Sequence, residues 1–516
     1  MIADAPQTFS SAAAPPLTRD QDQRREWFAF TLPVVMALLL ALVPVLGTGA
    51  KVPFLLVLVP LFLWAALRDT ERALYVYIAW CWMDGTIRGV FDNAPVMIVA
   101  RDILLGLIVV GWGLRRLNTR SIDPLRAPPI NVLIILFIIN AVLQIGNPYS
   151  LGLVQSIGGL KIHLGGIPLL YIGYDVFRRR GQVRSLLLFL TLATLVIGAV
   201  SYVQYAHGKE WTWSHFPGTK QVISQNYNPS AGANLTQDDI FKPPGTTSFG
   251  GGTGGIVGEV FPLAFALLLL TGRLDLGKKW KAIIAATLLA FIIIIFVNGL
   301  RSAIALAIIG VLLCTALIGG KQRARALATA GVCLVLGFVG WSLSQTVTHG
   351  GASDRFGSTF AHPQQAVQSD RKTFFEVVGP IILESPIGCG LGRSGAAAGY
   401  LKAGNNGGLG FSTFCEAYLG TAIFEMGILG ALLISAIAAA FLWRGWKALS
   451  RLQGPDDKVL AASLLAVLIV VFQGCFSGPA LTTLPGFIFF WLFGGILLRV
   501  FERPTQAGQI LNREVA

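Results

Sequence analysis

The sequence has 516 residues, of which 54% are hydrophobic and only 13% are charged. A soluble chain of this size has about 25% charged residues, so the composition excludes an ordinary soluble protein. The formal net charge of +14 does not indicate nucleic-acid binding, because most basic residues stand in short connections between apolar runs.

Apolar runs recur along the whole chain, each of about twenty residues, the length of helix that crosses a bilayer. No run shows the alternating pattern of a transmembrane barrel strand. The sequence therefore predicts an all-α, polytopic transmembrane helical bundle of about 12–14 spans with two long loops on one side. The predicted spans lie near residues 29–47, 51–68, 73–91, 95–115, 129–146, 160–177, 184–204, 251–271, 279–298, 302–319, 324–344, 411–442, 456–475 and 480–499.

Polar stretches divide these apolar runs into parts. The predicted parts are a disordered cytoplasmic N-terminus at 1–28, N-terminal transmembrane helices at 29–204, a loop at 205–250, central transmembrane helices at 251–344, a large loop at 345–410, C-terminal transmembrane helices at 411–500 and a cytoplasmic tail at 501–516. No cleavable signal peptide is evident, so the first span is expected to act as an uncleaved anchor.

The short basic connections all fall on one side when the predicted spans are counted alternately. Examples are Arg115–Arg116, Arg178–Arg180 and Lys278–Lys279. The positive-inside rule makes that side cytoplasmic and places both termini there. The loops at 205–250 and 345–410 then lie outside, and loops this long in a compact membrane protein are usually functional.

Several charged residues near the outer surface have more than one explanation. Arg301 lies between two predicted spans, where it is either a side chain snorkelling from a tight turn or an anion ligand aimed into an outward cavity. Arg101 and Asp102 are interpreted as a structural ion pair. Lys161 and His163 lie toward the outer face, at the start of the sixth predicted span.

The glycine-rich sequence Gly250–Gly255 comes directly before the eighth predicted span and Glu259. Glycines at a helix N-terminus let a ligand approach backbone N–H groups, and the helix dipole favours an anion there. The alternative is a flexible start of the helix, and the sequence does not match a Walker A loop. Glu259 is either a buried acid or a partner for a cation.

Two carboxylates, Glu416 and Glu425, stand about two and a half turns apart on the twelfth predicted span, and therefore on opposite faces of an ideal helix. They are not expected to form one carboxylate pair. Glu416 lies at the outer end, where it can reach the polar loop, whereas the deeper Glu425 is interpreted as structural. The six cysteines form no CxxC or Cys/His cluster, so no metal site is predicted.

Four motifs follow one another in an order that resembles the O-antigen ligase and polymerase superfamily of bacterial envelope proteins. The motifs are a basic stretch at Lys242–Phe249, the turn Leu300–Ala303, Arg371 followed by Pro386–Gly392, and Glu416 followed by Tyr418–Leu419 and Glu425–Gly430. The resemblance covers roughly residues 240–445. Ligases of this superfamily usually carry a histidine at the outer start of the late span. Here the segment reads Phe414-Cys415-Glu416-Ala417, which favours the polymerase branch.

The resemblance implies a multi-pass protein of the bacterial inner membrane with periplasmic loops. It implies glycosyl transfer from an undecaprenyl-pyrophosphate-linked oligosaccharide to an acceptor glycan, with the pyrophosphate as leaving group and without a cofactor or metal. Polysaccharide assembly proteins are possible partners. Fixed cations stabilise the charge that gathers on such a leaving group, and a base removes the proton of the acceptor hydroxyl. The candidates are Arg301, Arg371 and Lys242 for the pyrophosphate, and Glu416, His362 and His349 for the base.

Two other functions remain open at this point. The first is a ligase that transfers a glycan to lipid A-core or to protein. The second is a transporter of polysaccharide or lipid-linked sugar, with no covalent chemistry. Flippases typically carry charges along a central path through many spans, whereas the candidate charges of this chain gather at the outer face, which favours chemistry there.

Overall fold

The computed structural model describes residues 19–118, 128–226, 241–248, 252–272, 274–347, 378–380, 382–394 and 417–501. Helices account for 83% of the structure, and this part of the chain contains no strand. The predicted all-α class is therefore confirmed.

The N-terminal half contains helices α1 to α10. Their bounds are Arg19–Leu46, Lys51–Arg68, Thr70–Trp82, Asp84–Val90, Pro95–Asn118, Asn131–Leu143, Leu153–Leu164, Ile167–Val176, Arg180–His215 and Thr219–Asn226. Two short 3-10 helices, Gly47–Ala50 and Gln144–Gly146, follow α1 and α6. Helix α1 begins inside the segment 1–28 that composition predicts to be disordered, and residues 1–18 lie outside the described part.

The C-terminal half contains helices α11 to α17. Their bounds are Gly252–Leu269, Gly277–Asn298, Arg301–Leu317, Lys321–Val347, Tyr418–Arg451, Pro455–Gly474 and Gly486–Ile496. A π-helical turn at Leu497–Phe501 extends α17.

Among the described residues, eight helical stretches are long and apolar enough to cross a membrane, and three further apolar helices are shorter. Together they define a multi-pass helical membrane protein, as the apolar runs predict. The number of spans, about fourteen from the sequence, and the side on which each loop lies stay predictions.

Helix α11 lies at the centre of the bundle. Nearly all of its residues are buried, and it packs against α9, α12, α13 and α16. Helices α2, α5, α6 and α14 instead expose large apolar side chains such as Leu56, Val110, Val132 and Phe338. An apolar exposed surface of this kind fits a lipid environment, because lipid tails are themselves apolar, whereas a surface this apolar is unfavourable in water.

Three of the predicted spans are interrupted helices. The third is divided at Met83 into α3 and α4, and the sixth is divided at Gly165–Gly166 into α7 and α8. The twelfth is α15, which bends at Gly427, where φ is 72°. Interrupted helices at membrane depth are tolerated where neighbouring protein segments satisfy the freed backbone groups. In α15 those neighbours belong to the candidate site.

One end of the bundle, here called the basic end, collects the basic connections. Asp175 receives hydrogen bonds from Arg116 and Arg178, and Asp457 pairs with Arg180. These contacts join the connections after α5 and α8, because Arg116 and Arg178 share the Asp175 carboxylate. Between α11 and α12, Lys281 donates a hydrogen bond to Asp275 and lowers the pKa of that exposed carboxyl group.

Candidate functional site

The structure describes two of the six predicted site residues. Arg301 is the first residue of α13, and Lys242 lies in the segment 241–248; both side chains are partly buried. The other four, Glu416, His362, His349 and Arg371, lie outside the described residues. The site is therefore built from the segments that flank them.

The glycine motif Pro386–Gly392 is seated in the bend of α15. The Cys389 N–H donates to the carbonyl oxygen of Phe424 at 2.7 Å, and the Ile428 N–H donates to that of Pro386 at 3.0 Å. These two bonds satisfy a donor and an acceptor on either side of the bend, where the helix cannot satisfy them itself. Two sequence motifs that are separate in the chain therefore form one structural unit.

Glycine is required where the two motifs cross. Gly388 and Gly427 both have positive φ, 97° and 72°. A Cβ atom on Gly388 would lie 2.5 Å from the Gly427 nitrogen, and a Cβ atom on Gly427 would lie 2.5 Å from the carbonyl group of Ile387. Only glycine combines a left-handed conformation with such close backbone approach.

Helix α6 and the residues that follow it hold the other side of the glycine motif. The Gln144 side-chain amide donates to the carbonyl oxygen of Ile387 at 2.8 Å, and the Asn147 amide donates to that of Gly388 at 2.9 Å. The Asn140 amide donates to the Met426 carbonyl oxygen at 3.3 Å. Three amide side chains thus fix the backbone of both motifs from one neighbouring element.

Glu425 is the ionisable residue of this unit. It is buried, and its Oε2 lies 2.9 Å from Nε2 of His163 on α7. Its Oε1 accepts a 2.7 Å hydrogen bond from the Ser394 N–H, just after the glycine motif. Nδ1 of His163 lies 3.3 Å from the Tyr418 hydroxyl at the start of α15. These contacts are consistent with the interpretation of Glu425 as a structural residue. Its partners could not be identified from the sequence.

A second segment, 241–248, inserts between α4, α9 and α11. Gly245 exchanges two hydrogen bonds with the Gln204 side chain, and the Thr246 carbonyl oxygen accepts from the Thr86 N–H at 3.1 Å. The Thr253 hydroxyl of α11 donates to the Pro244 carbonyl oxygen at 2.9 Å. The segment that carries Lys242 is thereby held against the glycine-rich start of α11.

The same start of α11 contacts the turn before Arg301. Gly254 faces Asn298 and Leu300, which flank the left-handed turn at Gly299. One turn deeper, the buried Oε2 of Glu259 has no hydrogen-bond partner among the described residues. Helix α11 also packs against α16, and the Cys475 carbonyl oxygen just after α16 accepts from the Leu419 N–H at 3.1 Å.

These contacts form a continuous series, and the end of the bundle at which it lies is here called the site end. The series runs from the Lys242 segment through the start of α11 to the Arg301 turn, and through α11 and the end of α16 to the start of α15. His163 and Glu425 then connect it to the glycine motif. The described parts of these motifs are therefore connected through packed neighbours.

His163 is the residue whose importance sequence analysis missed. It lies in an apolar helix and faces the bundle interior, with no exposed side-chain surface. The sequence alone indicates that this histidine has a partner, because an ionisable side chain inside a span usually pairs with another group in the bundle. The identity of that partner depends on the tertiary structure, since α7 and α15 are far apart in the chain.

Within the described residues, no group of three or more His, Cys, Asp or Glu side chains is arranged to hold a metal ion. No protein-family model matches the chain, and no curated protein matches it.

Proposed function

We propose that this protein is a polymerase of a bacterial envelope or exported polysaccharide. It would transfer a glycan from a polyprenyl pyrophosphate to an acceptor glycan at the outer face of the inner membrane. The observation that carries the proposal is the seating of Pro386–Gly392 in the bend of α15 beside Glu425. Both motifs belong to the resemblance with the O-antigen ligase and polymerase superfamily, and we take their contact as support for the proposal.

The reaction forms a bond between an acceptor hydroxyl oxygen and the anomeric carbon of the donor sugar. The bond from that carbon to the pyrophosphate oxygen breaks, and the pyrophosphate leaves with the electron pair. Arg301, Arg371 and Lys242 are the proposed groups that stabilise its charge, because cations already held in place require no reorganisation as the charge develops. The described contacts bring the segments of Arg301 and Lys242 to the same helix start.

Glu416 is the proposed base for the acceptor hydroxyl, with His362 and His349 as alternatives. Glu416 stands two positions before Tyr418, whose N–H donates to the Gly478 carbonyl oxygen at 2.9 Å and whose hydroxyl contacts His163. These contacts fix the chain directly after Glu416.

The proposed orientation places the basic end in the cytoplasm, with both termini, and the site end in the periplasm. It is supported by the gathering of arginine and lysine connections at one end and of the candidate site at the other. A transporter is less consistent with this distribution, because its charged groups are expected along a central path.

Deletion of the gene in its native bacterium tests the proposal through the lipid-linked glycans that accumulate. A polymerase deletion should leave single repeat units on the lipid carrier, whereas a ligase deletion should leave long chains on it. Mass spectrometry of the extracted lipids distinguishes the two. An unchanged pool of lipid-linked glycans on the outer face would rule out both enzymes.

A further inference from the structure

Glu259 of α11 differs from the other buried carboxylates of the protein. Its Oε2 has no hydrogen-bond partner among the described residues, and no described cation pairs with it. The other buried carboxylates in the described part each have a hydrogen-bond or ion-pair partner, and they are Glu71, Asp84, Asp175, Glu425, Asp456 and Asp457. Glu259 is therefore an exception that needs a physical explanation.

The surroundings of Glu259 disfavour an ionised carboxylate. The residue is only 8% exposed, and its helix packs against α9, α12, α13 and α16. At the site end, α9 and α12 contribute the uncharged amides of Gln204 and Asn298, and a thiol, that of Cys475, follows α16. Arg301 begins α13 but forms no ion pair with Glu259. A buried carboxylate without a cation takes up a proton instead of remaining charged.

An opening leads from the site end to Glu259. Helix side chains lean toward the N-terminus, so that of Glu259 extends along the face that carries Gly255, four positions earlier. Gly255 is partly exposed and has no side chain to cover this face. Among the described residues, only Leu300, at 3.7 Å, lies within 4 Å of a Cβ atom placed on Gly255. The glycine-rich start of α11 thus leaves the carboxyl group reachable.

We propose that Glu259 is a proton-binding site, a neutral carboxylic acid at pH 7 that presents its proton to the opening at the site end. A protonated carboxyl group has one O–H donor. An anion or a hydroxyl group that enters the opening therefore meets a hydrogen-bond donor instead of a negative charge. The proposal depends on burial, the missing partner and the opening, and it does not depend on the glycosyl transfer proposed above.

Infrared spectroscopy of the purified full-length protein tests the protonation. The sample is at pH 7 in a maltoside detergent, which has no ester groups, because a protonated carboxyl group is identified by a C=O stretching band that a carboxylate lacks. We expect Glu259→Gln to lose the contribution of one carboxyl group from this band.

Asp92→Asn is the control for this measurement. Asp92 is exposed and pairs with Lys51 at 2.6 Å, so it is a carboxylate and its removal should leave the band unchanged. An unchanged band in Glu259→Gln would show that Glu259 is ionised in the wild type. That result would overturn the proposal and would instead indicate a cation from outside the described residues as its partner.

Exchange into heavy water tests the opening. The same band shifts when deuterium replaces the carboxyl proton, and we expect Gly255→Leu to slow this shift, because a leucine side chain there covers Glu259. Gly337→Leu in α14 is the matched control, since no described atom lies within 4 Å of its Cβ position. Gly255→Ala, whose Cβ atom meets Leu300 at an ordinary contact distance, is the milder variant if leucine disturbs folding. Exchange as fast in both Gly255 variants as in the wild type would refute the opening.

Discussion

Nε2 of His163 lies 2.9 Å from the Glu425 carboxylate, although 262 positions separate the two residues in the chain. Both side chains are inaccessible. The other carboxylate oxygen of Glu425 accepts from the Ser394 N–H. One buried carboxylate therefore links α7, the bend of α15 and the residue that follows the glycine motif, and it keeps these three segments together.

Removing one partner of this pair should destabilise the protein strongly. Glu425→Ala leaves His163 and the Ser394 N–H buried without their acceptor, and each buried polar group left unsatisfied typically costs about 1–3 kcal/mol. Glu425→Gln retains an acceptor oxygen and should cost less. Thermal unfolding of the purified variants in detergent measures both. The exposed pair Lys51–Asp92 is the control, and Asp92→Asn should change stability by less than about 1 kcal/mol.

The fold class was predictable because membrane helices are recognisable from apolar length alone. The interruptions were less predictable. Asp84 and Arg88 indicated an unusual third span, and the structure divides that span at Met83. The bend at Gly427 was not predicted, because a single glycine in an apolar run does not distinguish a straight helix from a bent one. Only the contact with Pro386–Gly392 requires the bend.

The candidate site was predictable in its motifs but not in its contacts. Arg301, Lys242, Glu425 and the glycine motif attract attention as polar or glycine-rich interruptions of apolar sequence. Which of these residues come into contact depends on helix packing between distant parts of the chain. The sequence therefore could not show that Glu425 pairs with His163. The bundle also supplies the amides of Asn140, Gln144 and Asn147, which look like ordinary polar residues at the end of a helix.

Gly427 and Gly388 should tolerate no side chain. Gly427→Ala places a Cβ atom 2.5 Å from the Ile387 carbonyl group, in a left-handed conformation that L-residues disfavour. Such strain costs about 1–3 kcal/mol before the clash is counted, so the melting temperature in detergent should fall. Gly337→Ala in α14 is the matched control, since nothing lies within 4 Å of its Cβ position. An unchanged melting temperature for Gly427→Ala would contradict the close contact.

The orientation of the bundle can be tested by cysteine labelling. If residues 205–250 and 345–410 are periplasmic, single cysteines at Ser230 or Ser353, in a cysteine-free background, should react in intact cells with a membrane-impermeant maleimide. Ser450, near the end of α15 in a basic connection, should react only after the inner membrane is permeabilised. Labelling of Ser450 from outside would reverse the proposed orientation.

Arg301 should be necessary for polymer formation. Arg301→Ala removes a cation from the proposed pyrophosphate site and should abolish polymer while the protein still inserts into the membrane. Arg301→Lys should not restore full activity, because lysine lacks the planar fork that binds two phosphate oxygens. The measurement is polymer length by gel analysis in a complemented deletion strain. Arg323→Ala near the start of α14, close to the basic end, is the control, and normal polymer in Arg301→Ala would support the snorkelling explanation instead.

Substitution of Glu416 should lower the reaction rate, whereas substitution of Glu425 should lower the stability of the protein. Glu416→Gln keeps the shape of the side chain but removes the basic carboxylate, so the polymerisation rate should fall by about 10²–10⁴-fold, the usual contribution of general-base catalysis. Lipid-linked substrate should still bind, and the melting temperature should not change. Glu425→Gln should instead lower the melting temperature, because its carboxylate holds His163 and the Ser394 N–H. Initial rates with purified lipid-linked substrate, normalised to folded protein, separate the two effects. Equal normalised rates in both variants would move the role of base to His362 or His349.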